Sequence, residues 1–210
     1  MRGDHDNMTE YDDILDLALV SIDDYRLNGL SLYLDETNYN YVIESGSYDE
    51  YKQLCADNGY FPTKIRDYDY IRQSGFANYT EYVEDTMRRF KLILEGFMVR
   101  GLPNFDNCLK DLSDRNDEAR VFNVQLDDME KSILADYTVL MWLDKEINDT
   151  RQITSMLQNK NEAHRYSEAN NLNAKVNHRI QLNEDVSTKK SLYMIRKGDW
   201  KKWADGEYGI

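Results

Sequence analysis

Apolar residues near the start of the chain recur at intervals of three and four, which is the spacing of one buried helix face. The members of this set are Tyr11, Ile14, Leu15, Ala18, Leu19, Ile22 and Tyr25. Thr9, with Asp12 three positions later, resembles a capping box, and Asn28-Gly29 is a stop signal. The pattern predicts a helix that begins at Thr9, after a flexible N-terminus at 1–8.

Two later stretches repeat this spacing behind stronger start signals. Asn78 with Glu81, and Asp127 with Glu130, each form a capping box ahead of an apolar stripe. The first stripe ends at Gly101. The stripes comprise Tyr82, Val83, Thr86, Met87, Phe90, Leu94, Phe97 and Met98, and then Met129, Ile133, Leu134, Tyr137, Leu140, Met141, Leu143 and Ile147. Both are predicted to be core helices.

Residues 31–77 follow no single period and are predicted to be an inserted, irregular subregion. Within it, residues 39–43 are predicted as a short strand. Ser47 and Glu50 form a capping box for a short helix over 48–56.

The C-terminal part of the chain contains a predicted helix followed by a predicted arm. A helix from about Ser167 carries Leu172, Val176 and Ile180 at four-residue steps, a narrow stripe suited to lying across one neighbour. Beyond residue 187 aromatic and apolar residues are spread among lysines and glycines, so 188–210 is predicted to be an extended arm.

The arm interleaves basic and aromatic side chains. Such a mixture is typical of nucleic-acid or membrane binders, but it also suits an arm that anchors its tryptophans in an adjacent subunit, with its lysines meeting acidic residues. Overall charge favours the second interpretation. The candidate partner contacts are Tyr193, Arg196, Trp200, Lys201 and Trp203.

The formal net charge is -13 and the pI is about 4.7. Residues 1–60 hold 14 acidic and 3 basic residues, whereas 188–203 hold six basic residues and one acidic residue. A folded surface of this sign repels phosphate, which argues against conventional nucleic-acid binding. The asymmetry suits head-to-tail docking between identical subunits.

The 16 tyrosines against 6 phenylalanines allow two interpretations. Tyrosine can bury its ring while keeping its hydroxyl on a wet partner surface. It can equally replace phenylalanine in a core that admits some water.

The chain carries no recognisable motif for catalysis or cofactor binding. His5, His164 and His178 stand apart without ligand spacing, and Cys55 and Cys108 form no metal pair. The sequence shows no GxxxxGK, GxGxxG or GxSxG pattern. We therefore expect no cofactor, no metal and no enzymatic activity. No stretch approaches the roughly 20 apolar residues of a membrane span, so no membrane association is expected.

Three segments carry a resemblance to a known family. They read Phe97-Met-Val-Arg-Gly-Leu-Pro-Asn-Phe-Asp-Asn-Cys108, Phe122-Asn-Val-Gln-Leu-Asp-Asp-Met-Glu130 and Ile133-Leu-Ala-Asp-Tyr-Thr-Val-Leu-Met-Trp-Leu143, and Tyr166-Ser-Glu-Ala169 follows them. With Ile14-Leu-Asp-Leu-Ala18 near the start, the chain resembles head-tail connector (neck adaptor) proteins of tailed bacteriophages. The resemblance covers about two thirds of the chain and leaves out 31–77 and the arm.

The resemblance implies a mainly α protein, a helical bundle adaptor over 9–187 that carries the small irregular insertion and the extended C-terminal arm. It also implies a virion protein, made in the host cytoplasm, that forms a homo-oligomeric, commonly dodecameric, ring. Such a ring binds the portal protein and other neck or tail proteins, and double-stranded DNA passes through it without specific binding. Five residues of the first helix are candidates for an acidic channel wall: Asp12, Asp13, Asp16, Asp23 and Asp24.

Two other classes stay open at this point. An acidic chain could mimic DNA and occupy a protein groove, which predicts a compact monomer or dimer with carboxylates spaced like phosphates. An enzyme is the weakest class, because no constellation of residues supports one.

Overall fold

A computed structural model describes residues 8–24, 33–156 and 162–197. It is mainly α-helical, as predicted, with seven α-helices among the described residues. The helices are α1 (Tyr11–Asp24), α2 (Glu36–Glu44), α3 (Tyr48–Asp57), α4 (Ile65–Ser74), α5 (Tyr79–Gly101), α6 (Asp128–Met156) and α7 (Glu162–Lys197). Three short strands, β1 (Thr9–Glu10), β2 (Arg115–Asn116) and β3 (Val121–Phe122), complete the fold with a 3-10 turn at Leu102–Asn104.

The chain divides into two compact units. The discontinuous unit combines Met1–Leu27 with Ile93–Ile210, and the inserted unit is Asn28–Leu92. An insertion was predicted over 31–77, but the unit extends into α5. Its predicted irregularity is wrong, because the unit is built from helices.

The discontinuous unit is built around α6, which packs against both α1 and α7. The six described members of the predicted α1 stripe, from Tyr11 to Ile22, are all buried. On α6 the buried set includes Ile133, Leu134, Val139, Leu140, Leu143 and Ile147. An aliphatic core therefore joins these three helices.

A small antiparallel sheet joins the two chain segments of the discontinuous unit. Its strand order is β1-β3-β2, and Thr9 pairs with Phe122. The prediction that Thr9 caps α1 is wrong, because Thr9 lies in β1 and its Oγ1 accepts a hydrogen bond from the Leu126 N–H at 2.7 Å. Arg120, at the end of the turn before β3, adopts a left-handed backbone with φ of 57°.

The inserted unit contains α2, α3, α4 and the N-terminal part of α5. The predicted strand over 39–43 is wrong, since these residues lie in α2. Asp35 caps that helix by accepting a hydrogen bond from the Asn38 N–H, and Asn38, Tyr39 and Val42 are its buried positions. Their spacing of one and three residues is helical.

Three predicted capping boxes are confirmed. The Ser47 hydroxyl accepts from the Glu50 N–H, Asn78 Oδ1 accepts from the Glu81 N–H, and Asp127 Oδ1 accepts from the Glu130 N–H. Only the third box is reciprocal, since Glu130 Oε2 accepts from the Asp127 N–H, whereas the Glu50 and Glu81 carboxylates accept from the N–H of the residue before the cap. All these contacts satisfy backbone donors that the start of a helix leaves without partners, so the helix starts can be read from sequence alone.

The boundary predicted for the arm at residue 188 is wrong, because α7 continues without a break to Lys197. The predicted stripe on this helix is also wrong, since Ile180 is exposed. Among the α7 side chains that the structure describes, the buried ones are instead Lys175, Leu182, Val186 and Tyr193. Their spacing of seven and four residues follows a helix that lies along α6.

Candidate interaction surfaces

The residue Tyr193, predicted to contact a partner, lies in the core of its own chain. It is fully buried, with its ring against Phe105 at a centroid distance of 5.2 Å. Its hydroxyl donates to Glu130 Oε1 at 2.8 Å and accepts from the Leu109 N–H at 2.9 Å. The prediction for Tyr193 is therefore wrong, because no part of its side chain is free to meet another molecule.

The thiol of Cys108 lies 4.0 Å from the Tyr193 hydroxyl. Burial raises the pKa of this thiol above its ordinary value. A raised pKa keeps sulfur in its thiol form near neutral pH, whereas a nucleophilic cysteine needs the thiolate. The arrangement is thus a packed polar network and not an activated nucleophile.

The lysines at the end of α7 pair with carboxylates of their own chain. Lys189 Nζ donates to Asp136 Oδ2 at 2.5 Å, Lys190 Nζ lies 2.7 Å from Asp106, and Lys197 Nζ lies 2.7 Å from Asp127. Asp136 is almost fully buried, and its desolvation raises the pKa of its carboxyl in spite of Lys189. These pairs fix α7 to the rest of the discontinuous unit.

Of the remaining predicted contact residues, Arg196 is exposed near the end of α7. Trp200, Lys201 and Trp203 lie outside the described residues. The described structure therefore leaves Arg196 as the only member of the set that can be assigned to a surface.

The predicted acidic residues lie along α1, but they are not equivalent. Asp12 forms an ion pair with Arg120, and Asp13 forms one with Lys131, each with a nitrogen–oxygen distance of 3.0 Å. Asp16 is exposed. Asp23 and Asp24 end the helix, and their side chains lie outside the described set.

Two aliphatic residues share the solvent side of α1 with these carboxylates. Leu17 is 42% exposed and Val20 is 62% exposed. The sequence pattern contained this signal, because both residues fall between positions of the buried stripe. The solvent side of α1 is therefore both acidic and apolar.

The most exposed large hydrophobic residue of the described chain is Phe61, at 91%. It lies in the loop between α3 and α4, beside Tyr60 and Pro62, and the sequence analysis did not single it out. Its signal in the sequence was a phenylalanine next to a proline, outside any periodic stripe. We call the side chains of Tyr60, Phe61 and Ile65 the Phe61 surface, since all three are exposed.

The backbone of this loop is held by buried and half-buried side chains of the inserted unit. The Phe61 carbonyl accepts from Asn38 Nδ2 at 3.4 Å. Thr63 donates its N–H to the Tyr51 hydroxyl at 2.9 Å, and its carbonyl accepts from the Tyr48 hydroxyl at 2.8 Å. These bonds hold the backbone that carries the exposed Phe61 ring.

Among the described residues, no group of three or more His, Cys, Asp or Glu side chains is arranged to hold a metal ion. No helix in the same part of the chain is long and apolar enough to cross a membrane. Comparison with known proteins found no match: no family model fits the chain, and no curated protein or solved structure is significantly similar to it.

Proposed function

We propose that this chain is a non-catalytic structural subunit of a tailed bacteriophage, a head-to-tail adaptor that forms a ring below the portal and surrounds the DNA exit channel. Its site of action is the head-tail interface of the virion. The observation that carries the proposal of a binding role is the exposed Phe61 ring, on a loop whose backbone is held by hydrogen bonds. The phage assignment depends on the resemblance of residues 97–143.

Exposed aromatic rings on ordered loops favour macromolecular contact for an energetic reason. Burying a phenylalanine side chain stabilises a complex by roughly 1.5–3 kcal/mol relative to leaving it in water. A loop already fixed by Asn38, Tyr48 and Tyr51 loses little conformational entropy when it binds. Such pre-ordered aromatic anchors are typical of interface hot spots.

The charge of the chain supports a channel role. A ring of subunits that each carry a net charge of -13 repels the phosphates of passing DNA. Repulsion at every step of the duplex keeps DNA from binding the wall, so it can slide through.

The DNA-mimic alternative is supported less well. A mimic needs unpaired carboxylates along one surface, but Asp12 and Asp13 are paired with Arg120 and Lys131. These pairs neutralise the charge that a phosphate-like array would display.

The proposal is tested by purifying the full chain alone and together with the portal protein of the same genome. Mass photometry and negative-stain imaging should show rings or portal-bound copies. A chain that stays monomeric and binds no portal contradicts the proposal.

The Phe61 surface is tested in the same assay. Phe61→Ala should weaken portal binding at least about tenfold, the loss expected for removal of an interface hot spot. Lys64→Ala, three residues away and also exposed, is the matched control and should bind normally. If both variants bind like the unaltered chain, Phe61 is not the anchor.

The C-terminal residues are tested separately. Replacing Trp200 and Trp203 by Ala should lower incorporation into particles while circular dichroism shows unchanged helix content. Particle yield equal to that of the unaltered chain would remove the anchoring role of these tryptophans.

A further inference from the structure

The inserted unit contains a small polar cavity. Its volume is about 200 Å³, and it is lined by residues of α4, α5 and the segments that precede α2 and α4. The polar lining residues are Tyr33, Thr63, Asp67, Tyr70, Tyr82 and Thr86. Pockets for whole small molecules usually measure about 300–1,000 Å³, so this cavity has the size for a single side chain.

Hydrogen bonds hold the walls of this cavity in place. The Tyr82 hydroxyl accepts from the Leu34 N–H at 3.0 Å, and the Tyr79 hydroxyl donates to the Leu34 carbonyl at 2.8 Å. On the other side, the Thr63 N–H donates to the Tyr51 hydroxyl at 2.9 Å. Walls that are already ordered lose little conformational entropy when a ligand enters.

The lining of the cavity is negatively charged. Of the described residues that line it, Asp67 alone carries a charge. Its neighbour Arg66 is 93% exposed and places Nε 3.8 Å from the Asp67 carboxylate, which is too far for a hydrogen bond. An exposed ion pair of this length contributes little, so the Asp67 carboxylate is still able to accept hydrogen bonds from a ligand.

The lining also contains a buried acceptor. The Oγ1 atom of Thr86 lies beside the Tyr82 hydroxyl but forms no hydrogen bond of ordinary geometry with a described protein group. A buried hydroxyl oxygen without a partner is unfavourable, and an N–H donor in the cavity would remove this penalty. Asp67 and Thr86 thus give the cavity two acceptors for the N–H groups of a cation.

The inserted unit already holds one guanidinium group with partners of the same kinds. Arg89 lies over the Tyr70 ring, with Cζ 4.1 Å from the ring centroid, and its Nε lies 2.8 Å from Asp85. A tyrosine ring and a carboxylate therefore bind an arginine in this unit. Arg89 and Arg88, the other partner of Asp85, are mostly exposed, so solvent screens their repulsion of a second cation.

We propose that this cavity binds the guanidinium group of an arginine side chain from a partner protein. A guanidinium is planar, carries five N–H donors and stacks on aromatic rings, which suits a lining of tyrosines, hydroxyl oxygens and one carboxylate. A lysine ammonium is compact and more strongly hydrated, so it fits this lining less well. The inference deepens the proposed adaptor role, and it rests on that role only in taking the partner to be another protein of the assembly.

Binding of N-acetyl-arginine amide to the full chain tests the cavity without any partner protein. Titration followed by ligand-observed NMR should give a Kd on the order of a millimolar, as expected for a small ligand with a few polar contacts. N-acetyl-lysine amide should bind at least about threefold more weakly, and N-acetyl-glutamate amide should not bind. Equal binding of the three probes, or no binding of the arginine probe, overturns the proposal.

A charge-neutral variant locates the binding site. Asp67→Asn keeps the shape of the lining but removes its charge, and it should weaken binding of the arginine probe about tenfold. Asp69→Asn is the matched control, since Asp69 lies on the same helix, is exposed and does not line the cavity. It should bind the probe normally, and circular dichroism checks that both variants are folded. Equal weakening in the two variants contradicts binding in the cavity.

Arg66→Ala tests whether the Asp67 carboxylate is available. Because the pair between Arg66 and Asp67 is long and exposed, the variant should bind the arginine probe at least as tightly as the unaltered chain. Weaker binding would show that the cavity needs Arg66, which contradicts a site for a cation.

The outcomes separate this inference from the proposed function. If rings or portal-bound copies form but the arginine probe does not bind, the cavity proposal is wrong while the adaptor proposal stands. If the probe binds and Asp67→Asn weakens it, but the chain neither assembles nor binds portal, the cavity proposal stands and the adaptor proposal is wrong.

Discussion

The two units of this protein use different side chains for the same task. The inserted unit holds ten of the 16 tyrosines, and Tyr39, Tyr51, Tyr68 and Tyr82 are buried at its centre. The discontinuous unit has an aliphatic core on α1 and α6. The core of the inserted unit is therefore aromatic and carries hydroxyl groups, whereas the core of the discontinuous unit is mainly aliphatic.

Tyrosine suits the inserted unit because its hydroxyls hold the loops. The Tyr82 hydroxyl accepts from the Leu34 N–H at 3.0 Å, and the Tyr79 hydroxyl donates to the Leu34 carbonyl at 2.8 Å. The Tyr68 hydroxyl accepts from Ser45 Oγ at 3.3 Å. A phenylalanine core would fill the same space but leave these backbone and hydroxyl groups without partners.

The discontinuous unit fastens its helices by ion pairs instead. Between α6 and α7, Lys175 lies 3.2 Å from Glu146, and Arg179 lies 2.7 Å from Asp144. In the inserted unit, four tyrosine rings are buried and five more pack against them, which favours the interpretation that tyrosine replaces phenylalanine in the core. There most of the rings belong to the core and not to a partner surface.

The largest effect should come from Tyr193, one of three buried tyrosines in the discontinuous unit. Tyr193→Ala removes a fully buried ring and the hydrogen bond that its hydroxyl donates to Glu130 Oε1. We expect a loss of about 4 kcal/mol in the free energy of unfolding, measured by urea denaturation. Ile195→Ala is the control and should change stability by less than about 0.5 kcal/mol. A small change in the free energy of unfolding for Tyr193→Ala would contradict the burial of Tyr193 in the core.

A smaller effect is expected where the hydroxyl alone is removed. Tyr51→Phe keeps the ring of the inserted unit but deprives Thr63 N–H and Asn38 Oδ1 of a partner. We expect a loss of about 2 kcal/mol, since buried polar groups are left unsatisfied. Hydrogen exchange of α2 to α4 reports this loss locally. Tyr60→Phe, at an exposed position, should leave exchange unchanged; an equal loss in both variants would refute the role of the hydroxyl.

The units should also differ in their response to pH. In the discontinuous unit, burial raises the pKa of Asp136 above its ordinary 3.8, so the folded state prefers the protonated form. Stability relative to Asp136→Asn should therefore fall as pH rises from 3.8 through the raised pKa.

In the inserted unit the sign is opposite. The hydrogen bond from the Tyr70 hydroxyl, helped by Arg88 and Arg89, lowers the pKa of Asp85 below 3.8. Its stabilising contribution is present above 3.8 and should be lost as pH falls through the lowered pKa. Urea denaturation of Asp85→Asn and Asp136→Asn across the acidic range measures both slopes, and slopes of the same sign would contradict this contrast.

The smallest effect is expected at Arg120. Its left-handed backbone disfavours any residue with a Cβ, while its side chain pairs with Asp12 and Glu95. Arg120→Ala and Arg120→Gly remove the same ion pairs, but only glycine relieves the strain. We expect the glycine variant to be more stable than the alanine variant by about 1 kcal/mol in thermal unfolding. Equal stabilities would show that the backbone is not strained.

Local signals predicted much of the fold. The starts of α3, α5 and α6 follow from capping boxes because the interactions lie within four residues of each other. The strand predicted over 39–43 is wrong because four of these five residues are aromatic or β-branched and so favour strands, whereas the cap at Asp35 starts a helix. The mainly α fold survived this error.

Long-range contacts account for most of the other errors. Thr9 enters a strand only because β3 lies beside it, and Tyr193 is buried only because Glu130 and Leu109 surround it. In both cases the contacting residues are more than 60 positions away in the sequence. For the surfaces, helical spacing placed the acidic residues on α1, but the exposure of Phe61 depends on how a loop is held and was not foreseen.

The short sheet affects the order in which the two units can fold during synthesis at the ribosome. The hydrogen bond between Thr9 and Leu126 spans 117 positions, and α1 buries its apolar side against α6. The inserted unit makes its contacts within one short stretch of chain and can fold as soon as that stretch has emerged. Until α6 is synthesised, the apolar stripe of α1 has no α6 to pack against. We therefore expect a stage of synthesis in which the inserted unit is folded while α1 is prone to aggregation or to binding by a chaperone.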